Sequence, residues 1–215
     1  MIYGAALRCA KGVGTVSKIL SGAVVALLLM PASLAAQGAD PARAPVQALD
    51  DGLLAIMKAG RTAGVAGRAA RIGPVVDRSF DLPLMTRLAV GPGWTGIAPA
   101  DQAALVAAFR RLTIQQYARN FDGYDGERFQ IAPAVESRGG DRLVRTTLST
   151  KSGPVAISYR LRQSAGGGWR IIDVFYKNAI SQLATRRADF ASVLHQGGAR
   201  ALIAHLDRLA AKPSS

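Results

Sequence analysis

The spacing of apolar residues changes abruptly after residue 120, and this change constrains the fold more than any other feature of the 215-residue chain. Downstream of it, four segments alternate between apolar and polar residues, a pattern typical of strands with one buried face. The segments span 129–135, 143–150, 155–161 and 169–176. The three connections between them are short and contain glycine, which favours antiparallel hairpins. The sequence therefore predicts a curved, four-stranded antiparallel meander.

Helical spacing dominates the rest of the chain, on both sides of the predicted strands. The predicted helices span 48–58, 62–76, 81–91, 99–120, 180–194 and 199–210. The clearest begins at Pro99 and carries Leu105, Phe109 and Leu112 on one face, so we expect it to cover the sheet. Gly197 and Gly198 predict a helix stop followed by a restart. The fold class that follows is α+β, with helices packed on the apolar face of the sheet.

The first 36 residues have the pattern of a secretory signal peptide. Three basic residues precede an apolar run over 19–30, and small residues follow up to Ala36. The run is about a dozen residues, shorter than the roughly 20 that a membrane-spanning helix needs. We expect cleavage after Ala35 or Ala36 and export to the periplasm. A disordered lead over 37–46 and a single domain over 47–212 would follow.

Charge narrows the range of partners of the exported chain. Residues 37–215 contain 24 Lys and Arg against 14 Asp and Glu, a net charge of +10 that favours anionic partners. No run of basic residues interleaved with aromatic residues indicates a nucleic-acid groove, and export argues against nucleic acid. A charge that merely keeps the protein soluble is the open alternative. The single cysteine, Cys9, lies upstream of the apolar run, which excludes a lipoprotein attachment site.

Few residue combinations indicate catalysis or metal binding. His195 and His205 have no acidic or cysteine cluster beside them, so we interpret them as structural and predict no metal or other cofactor. Asp173 interrupts an apolar strand, and with Tyr159 it could act as a general base beside an oxyanion donor. The alternative is that Asp173 faces solvent or caps a backbone group. Because nothing else completes a site, we predict no enzymatic activity.

Several segments carry a resemblance to a known family. They are Phe80 to Trp94, Ala108 to Leu112, Tyr117, Gly168 to Val174 and Gly198 to Ile203. Together they resemble the MlaC family of periplasmic lipid-binding proteins, also called toluene-tolerance auxiliary components of ABC transporters. The wording Leu88 to Trp94 is most similar to the hopanoid-associated HpnM branch. The chain departs from the family pattern over 177–181 and 184–190, which bears on the cargo more than on the fold.

The resemblance implies a soluble, monomeric carrier that shuttles phospholipid, or hopanoid, between the inner and outer membranes. Its implied partners are an inner-membrane ABC transporter with an MCE-domain subunit, an outer-membrane lipoprotein complex and, transiently, the membrane surface. An enzyme using Asp173 on a cone-shaped sheet is one alternative. A lipoprotein chaperone or adaptor is another.

A carrier needs an apolar cavity, and the dry face of the sheet together with the helical stripes could line one. The predicted lining is Leu84, Leu88, Phe109, Leu112, Tyr117, Val144, Leu148, Ile157, Tyr159, Val174 and Ile180. The same residues could equally pack into a solid core, because periodicity reports burial and not voids. Arginines at the rim could hold a phosphate, dock on a partner or simply be solvated. The candidates are Arg110, Arg111, Arg160, Arg162, Arg186 and Arg187.

Overall fold

A computed structural model of the chain describes residues 39–177 and 179–212. The predicted signal peptide over 1–36 lies outside the described residues. Five helices and five strands follow one another as α1 (Arg43–Ala59), α2 (Gly64–Ser79), α3 (Leu82–Val90), α4 (Pro99–Asn120), β1 (Arg128–Arg138), β2 (Asp141–Thr150), β3 (Gly153–Gln163), β4 (Trp169–Tyr176), β5 (Ile180–Ser181) and α5 (Gln182–Ala211). Short 3₁₀ turns at Arg61–Ala63 and Gly91–Gly96 join the first helices.

The sheet is an antiparallel meander in the order β1-β2-β3-β4-β5. The prediction of four strands is wrong by one, because Ile180 and Ser181 pair with the end of β4 before the chain turns helical. The last helix therefore begins at Gln182 and not at residue 180. Its N-terminus is capped by the Ser181 hydroxyl oxygen, which accepts the N–H of Ala184 at 2.9 Å.

One face of the sheet is apolar and packs against the helices, as the alternation in β3 predicts. Tyr159 and Leu161 are 2% and 0% exposed, whereas Arg160 between them is exposed on the opposite face. Irregular pairing interrupts the ladder in β1, between Ile131 and Val135, and in β4 opposite Arg160 and Leu161. Such bulges bend strands, so they give the sheet its curvature.

The predicted disordered lead over 37–46 is wrong for its last four residues, which form the first turn of α1. The Asp40 carboxylate accepts the N–H of Ala42 at 2.9 Å, just before this turn. Arg43 donates to the carbonyl oxygens of Ala132 and Pro133 on β1, at 2.5 and 3.0 Å. Because Val46 is fully buried, this turn belongs to the core.

The predicted helix stop and restart near residue 197 is confirmed as a bend within α5. Gly197 leaves helical geometry at φ −154°, and Gly198 adopts φ +66°, a conformation that favours glycine. Both segments of α5 pack against α4, the first through Phe190 on Phe109 and the second through Asp207 on Arg111, and the first segment also lies beside α3. Among the described residues, no helix has both the length and the apolar character needed to cross a membrane.

A buried arginine ties three helices together. Arg68 on α2 is 3% exposed, its Nε donates to the carbonyl oxygen of Ala118 at 2.7 Å, and its Nη1 donates to that of Gly60 at 2.7 Å. These carbonyls belong to the last turn of α4 and to the residue that follows α1. Helix C-termini leave carbonyls without intrahelical partners and favour positive charge, so one guanidinium satisfies two helix ends.

Replacing Arg68 tests this connection. We expect Arg68→Met to lower the free energy of unfolding by about 3 kcal/mol, since each hydrogen bond to a charged group contributes about 1.5–3 kcal/mol. Urea titration followed by circular dichroism measures the change. Arg71→Met on the same helix is the matched control, because Arg71 is exposed, and should change stability by less than about 0.5 kcal/mol. Equal effects of the two substitutions would contradict the assignment.

Candidate functional site

A cavity of about 580 Å³ lies between the apolar face of the sheet and the helices. Its size is in the range typical of small-molecule sites, roughly 300–1,000 Å³. The lining residues are Leu53, Phe80, Met85, Phe109, Thr113, Gln116, Tyr117, Asn120, Phe121, Leu148, Val155, Ile157, Tyr159, Val174, Tyr176, Gln182, Leu183 and Arg186. Most are apolar or aromatic, and Arg186 is the one formally charged side chain among them. The apolar elements therefore enclose a void as well as a packed core.

Neighbouring strands supply one wall of this cavity. Leu148 pairs with Val155, Ile157 with Tyr176 and Tyr159 with Val174, and all six side chains line the void. Side chains that are directly opposite in an antiparallel ladder lie on the same face of the sheet. The register of β2, β3 and β4 therefore builds a continuous apolar surface.

The opposite wall comes mainly from α4. Phe109, Thr113, Gln116, Tyr117 and Asn120 recur every three or four residues, so they lie along one side of the helix. The Tyr117 ring contacts the rings of Phe80 and Phe121, with centroids 6.0 and 5.9 Å apart. Phe80 follows α2 directly and Phe121 follows α4. These aromatic contacts connect the helix wall to the ends of neighbouring elements.

Six of the eleven predicted cavity residues line the void: Phe109, Tyr117, Leu148, Ile157, Tyr159 and Val174.

The other five lie elsewhere. Leu112 and Val144 are 1% and 0% exposed within the packed core, and Leu84 packs against the outside of that core. Leu88 borders a separate cleft, and Ile180 is 53% exposed because it pairs with Tyr176 at the edge hairpin. Hydrophobic spacing marks each of these positions as apolar, but it does not distinguish a void from a packed core or an exposed turn.

Much of the lining carries no continuous apolar signal in the sequence, because the side of α4 that faces the cavity mixes polar and apolar residues. Thr113, Gln116 and Asn120 share a helix face with Phe109 and Tyr117, and their helical spacing is the signal that was available. The predicted apolar stripe combines Leu105 and Leu112, which are buried in the packed core, with Phe109, which is buried and also lines the cavity.

Of the six arginines predicted at the rim, only Arg186 lines the cavity. Arg110 and Arg111 form ion pairs with Asp77 and Asp207 at 2.6 and 2.7 Å, in a groove between the helices.

The remaining three arginines border another cleft, on the far side of β4. Arg160 and Arg162 both contact Asp141, at 2.5 and 2.6 Å, and Arg187 lies near Gly91. The hydrogen bonds from Arg162 and Arg160 hold the pKa of the Asp141 carboxyl below its usual range. Arg160 and Arg162 therefore form structural ion pairs with Asp141 at the start of β2.

Arg186 occupies a different electrostatic setting. It lies in the first turns of α5, and its Nη2 donates to the side-chain oxygen of Gln116, a neutral amide, at 2.6 Å. Burial lowers the pKa of the guanidinium, while Asp189 acts in the opposite direction. An arginine remains charged at neutral pH even so. The Arg186 guanidinium therefore gives the cavity a positive charge, and it has further N–H donors besides the one that binds Gln116.

Asp173 does not form the expected acid and phenol pair with Tyr159. Its Oδ1 accepts the N–H groups of Val174 and Leu183, at 2.8 and 3.0 Å, and its Oδ2 accepts the Ser181 hydroxyl at 2.6 Å. Tyr159 lies on the cavity side of the sheet, and Asp173 borders the cleft on the other side. The Asp173 carboxylate therefore caps backbone groups, which is the alternative interpretation given above.

A different acid, Asp50 on α1, approaches Tyr159. Asp50 is 1% exposed, its Oδ1 lies 3.4 Å from the Tyr159 hydroxyl, and its Oδ2 makes no hydrogen bond within the described residues. Burial raises the pKa of Asp50 to about 8, and the Tyr159 hydrogen bond opposes that shift only in part. Burial, with the nearby Asp50 charge, also raises the pKa values of Tyr117 and Tyr159. At neutral pH the carboxyl is therefore mostly protonated.

Among the residues that the structure describes, no three His, Cys, Asp or Glu side chains converge as a metal site.

The buried carboxyl predicts a specific pH dependence of stability. The pKa of Asp50 is near 8 in the folded chain and about 3.8 when unfolded, so between these values unfolding releases a proton. Stability therefore falls as the pH rises through this window, by on the order of 4 kcal/mol between about pH 4 and pH 7. Asp50→Asn should remove this slope and raise the melting temperature near pH 8.

Melting temperatures at about pH 5 and pH 8 measure the effect. Asp51→Asn is the matched control, because Asp51 is exposed on the same helix and should leave the slope unchanged. The same pH slope in wild type and Asp50→Asn would contradict the assignment.

Comparisons with known proteins agree with this geometry. Residues 47–208 match a family model described as MlaC protein. Among solved structures, the fold is similar to that of the phospholipid-binding protein from Ralstonia solanacearum, solved in complex with a phospholipid. The two chains are 26% identical, with a TM-score of 0.69 over 79% of this chain and 97% of that one. No curated protein sequence matches. The family match covers well over half of the chain and includes every residue that lines the cavity, from Leu53 to Arg186, so the chain belongs to the MlaC family.

Proposed function

We propose that this protein is a carrier that holds the apolar part of a lipid in the cavity and moves it through the periplasm. The observation that carries the proposal is the apolar void of about 580 Å³ between sheet and helices. A phospholipid bound to the Ralstonia solanacearum protein, which shares the fold, supports it. The signal-like pattern over residues 1–36 supports export.

The free energy of lipid transfer explains why such a carrier is needed. A lipid with about 30 methylenes would lose on the order of 24 kcal/mol if its tails faced water, at about 0.8 kcal/mol per methylene. A cavity lined by Phe109, Ile157 and Val174 replaces that water with apolar contacts. The protein thus lowers the barrier to crossing an aqueous compartment without any covalent chemistry.

Phospholipid is the proposed cargo, and hopanoid is the second candidate. The wording of the Leu88 to Trp94 segment, which is similar to the HpnM branch, favours the second. Cargo would be exchanged by a monomer with an inner-membrane ABC transporter carrying an MCE-domain subunit and with an outer-membrane lipoprotein complex. These partners rest on the family membership.

We assign the headgroup end of the cavity to Arg186. Its guanidinium lines the cavity and donates one hydrogen bond to Gln116. Its other N–H groups can donate to a phosphate. The five other arginines predicted at the rim lie outside the cavity lining. A phosphate at Arg186 would place the tails toward Phe109 and Tyr159, deeper between α4 and the sheet.

Native mass spectrometry with lipid extraction, on protein purified from a periplasm without detergent, tests the carrier function directly. A stoichiometric phospholipid or hopanoid is expected and identifies the cargo class. An apo mass that persists after incubation with liposomes would contradict the proposal.

Placing a charge in the cavity should abolish lipid retention. Val174→Asp and Ile157→Asp each introduce a carboxylate without a partner among apolar lining residues, which is costly when a lipid excludes water. Lipid retained after purification, measured by mass spectrometry, should fall to background while export continues. Ala156→Asp is the matched control, because Ala156 alternates with Ile157 and lies on the other face of β3.

A second variant covers the case in which the aspartate variants fold poorly. Val155→Trp fills part of the cavity from a half-buried position without adding charge, and it should also reduce the lipid bound per protein. Full lipid occupancy in Val155→Trp and in both aspartate variants would show that the tails lie elsewhere.

Removing the Arg186 charge should weaken binding of anionic lipids selectively. We expect Arg186→Gln to reduce affinity for phosphatidylglycerol roughly ten- to hundred-fold, because a hydrogen bond to a charged group contributes about 1.5–3 kcal/mol. Affinity for diacylglycerol, which has no phosphate, should stay within about two-fold. Competition with a fluorescent lipid measures both. Arg187→Gln, one residue away and outside the cavity, is the control. Equal losses for both lipids would indicate a packing role for Arg186.

A further inference from the structure

The large apolar side chains that are exposed among the described residues are Tyr124, Tyr176 and Ile180, at 42%, 42% and 53%. Tyr176 and Ile180 pair across the β4–β5 hairpin, and Tyr124 lies in the loop between α4 and β1. Isolated exposed apolar residues are common on soluble proteins. They indicate a binding surface only if they lie together, so their positions relative to the cavity are the relevant observation.

All three lie at the end of the molecule where the cavity opens. The cavity-lining residues that are most exposed, Asn120, Tyr176 and Gln182, mark the opening. The start of β1 and the end of β4 lie at the same end of the sheet, because Arg128 pairs with Ser149 beside the β2–β3 turn and Tyr176 pairs with Ile157 in the first half of β3. Tyr124 precedes β1 by four residues, and Ile180 pairs with Tyr176. The exposed apolar side chains therefore surround the mouth of the cavity.

Lysines gather at the same end. The Nζ of Lys58 lies 5.2 Å from the centre of the Tyr124 ring, and that of Lys177 lies 5.7 Å from the Tyr176 ring. Lys151, in the β2–β3 turn, pairs with Asp125 beside Tyr124. These are three of the four lysines downstream of residue 36. Lysine concentrates at this end, whereas arginine is distributed over the molecule.

Acidic residues at this end are engaged locally. Asp122 pairs with Arg61 at 3.0 Å, Asp125 pairs with Lys151 at 2.9 Å, and Glu127 accepts the N–H of Asp125.

Three cations remain beyond these pairs, and the Glu127 carboxylate, which accepts a neutral backbone N–H, offsets one of them. Lys58 and Lys177 contact aromatic rings, and Arg128 is exposed at the start of β1. The end that surrounds the mouth therefore presents a positive charge together with separate apolar side chains.

We propose that this end of the protein, formed by Lys58, Tyr124, Tyr176, Lys177 and Ile180, docks on the surface of a bilayer that contains anionic lipid. The docking surface rests on the proposed carrier function, because it brings the cavity mouth to the lipid that enters or leaves. Tyrosine rings and lysine stems combine an apolar body with a polar tip, which suits the headgroup region.

The size and composition of the surface favour a bilayer over a protein partner. A stable protein interface has a continuous, well-packed apolar centre, whereas these apolar groups are one cross-strand pair on the β4–β5 hairpin and a single ring, Tyr124, on another loop. A lipid surface accepts separate insertions and adds attraction to each cation near it. The resulting attachment is weak and reversible, which a carrier needs in order to leave.

Vesicle binding tests the proposal, using protein purified from the periplasm. The probes are vesicles of phosphatidylcholine alone and vesicles in which phosphatidylglycerol replaces part of it. We expect measurable binding to the anionic vesicles that weakens with added salt. Lys58→Gln together with Lys177→Gln should weaken it about 25-fold, or about five-fold per lysine, the equivalent of about 1 kcal/mol each. Ile180→Ser should weaken it several-fold.

The matched control is Arg200→Gln. Arg200 is exposed near the start of the second segment of α5. The far end of that segment, at Ala210, contacts Arg119 at the end of α4, which is the mouth end of the molecule. Ten helical residues, about 15 Å, separate Arg200 from Ala210. It should leave vesicle binding unchanged.

Lipid content by native mass spectrometry separates this proposal from the carrier function. Ile180 and both lysines lie outside the cavity lining, so their variants should keep their bound lipid. Wild type that carries lipid but ignores both vesicle types would overturn the docking surface and leave the carrier function standing. Equal losses in Arg200→Gln would overturn it too, because the effect would then be net charge alone. If the variants bind vesicles normally but transfer lipid poorly to a purified partner complex, the surface contacts protein and the proposal fails.

Discussion

The carboxylate of Asp173 determines where α5 leaves the sheet, and one wall of the cavity depends on that point. It accepts the Ser181 hydroxyl and the N–H of Leu183, while Ser181 in turn caps Ala184. These hydrogen bonds hold the start of the helix beside β4, and its first turns bring Leu183 and Arg186 over the sheet. A residue that sequence reasoning weighed as catalytic thus positions the side chains that we assign to lipid binding.

A void of this size persists because its walls are held by contacts that lie outside it. Arg68 joins the ends of α1 and α4 to α2, and the hairpins fix the register of the sheet wall. Protein interiors otherwise close-pack, so apolar elements left unconstrained would collapse onto each other. Such close packing is present a few residues from the cavity, in the core around Leu105, Leu112 and Val144.

Much of the fold followed from the sequence because it depends on local patterns. Alternation predicted four strands, and Gly197 and Gly198 predicted the bend in α5. The fifth strand was missed because two residues, Ile180 and Ser181, carry no periodicity of their own. The site was harder to predict, since it depends on which apolar faces fail to meet. Leu148 and Val144 lie on the same face of β2, yet only Leu148 reaches the void. Asp50 gave no signal, because its burial comes from tertiary packing alone.

Charge on this protein is sorted by position and by partner. Arginines on the outer face of the sheet are held by Asp141 and Glu136, which makes them part of the frame. Arg186 donates to the neutral Gln116 amide, and Lys58 and Lys177 contact aromatic rings, and all three lie at or around the cavity opening. A net charge of +10 over residues 37–215 therefore says less about function than the location of a few cations. If a phosphate emerges at Arg186, it does so at the same end where Lys58 and Lys177 would meet anionic headgroups. One mouth then serves both to hold the lipid and to deliver it.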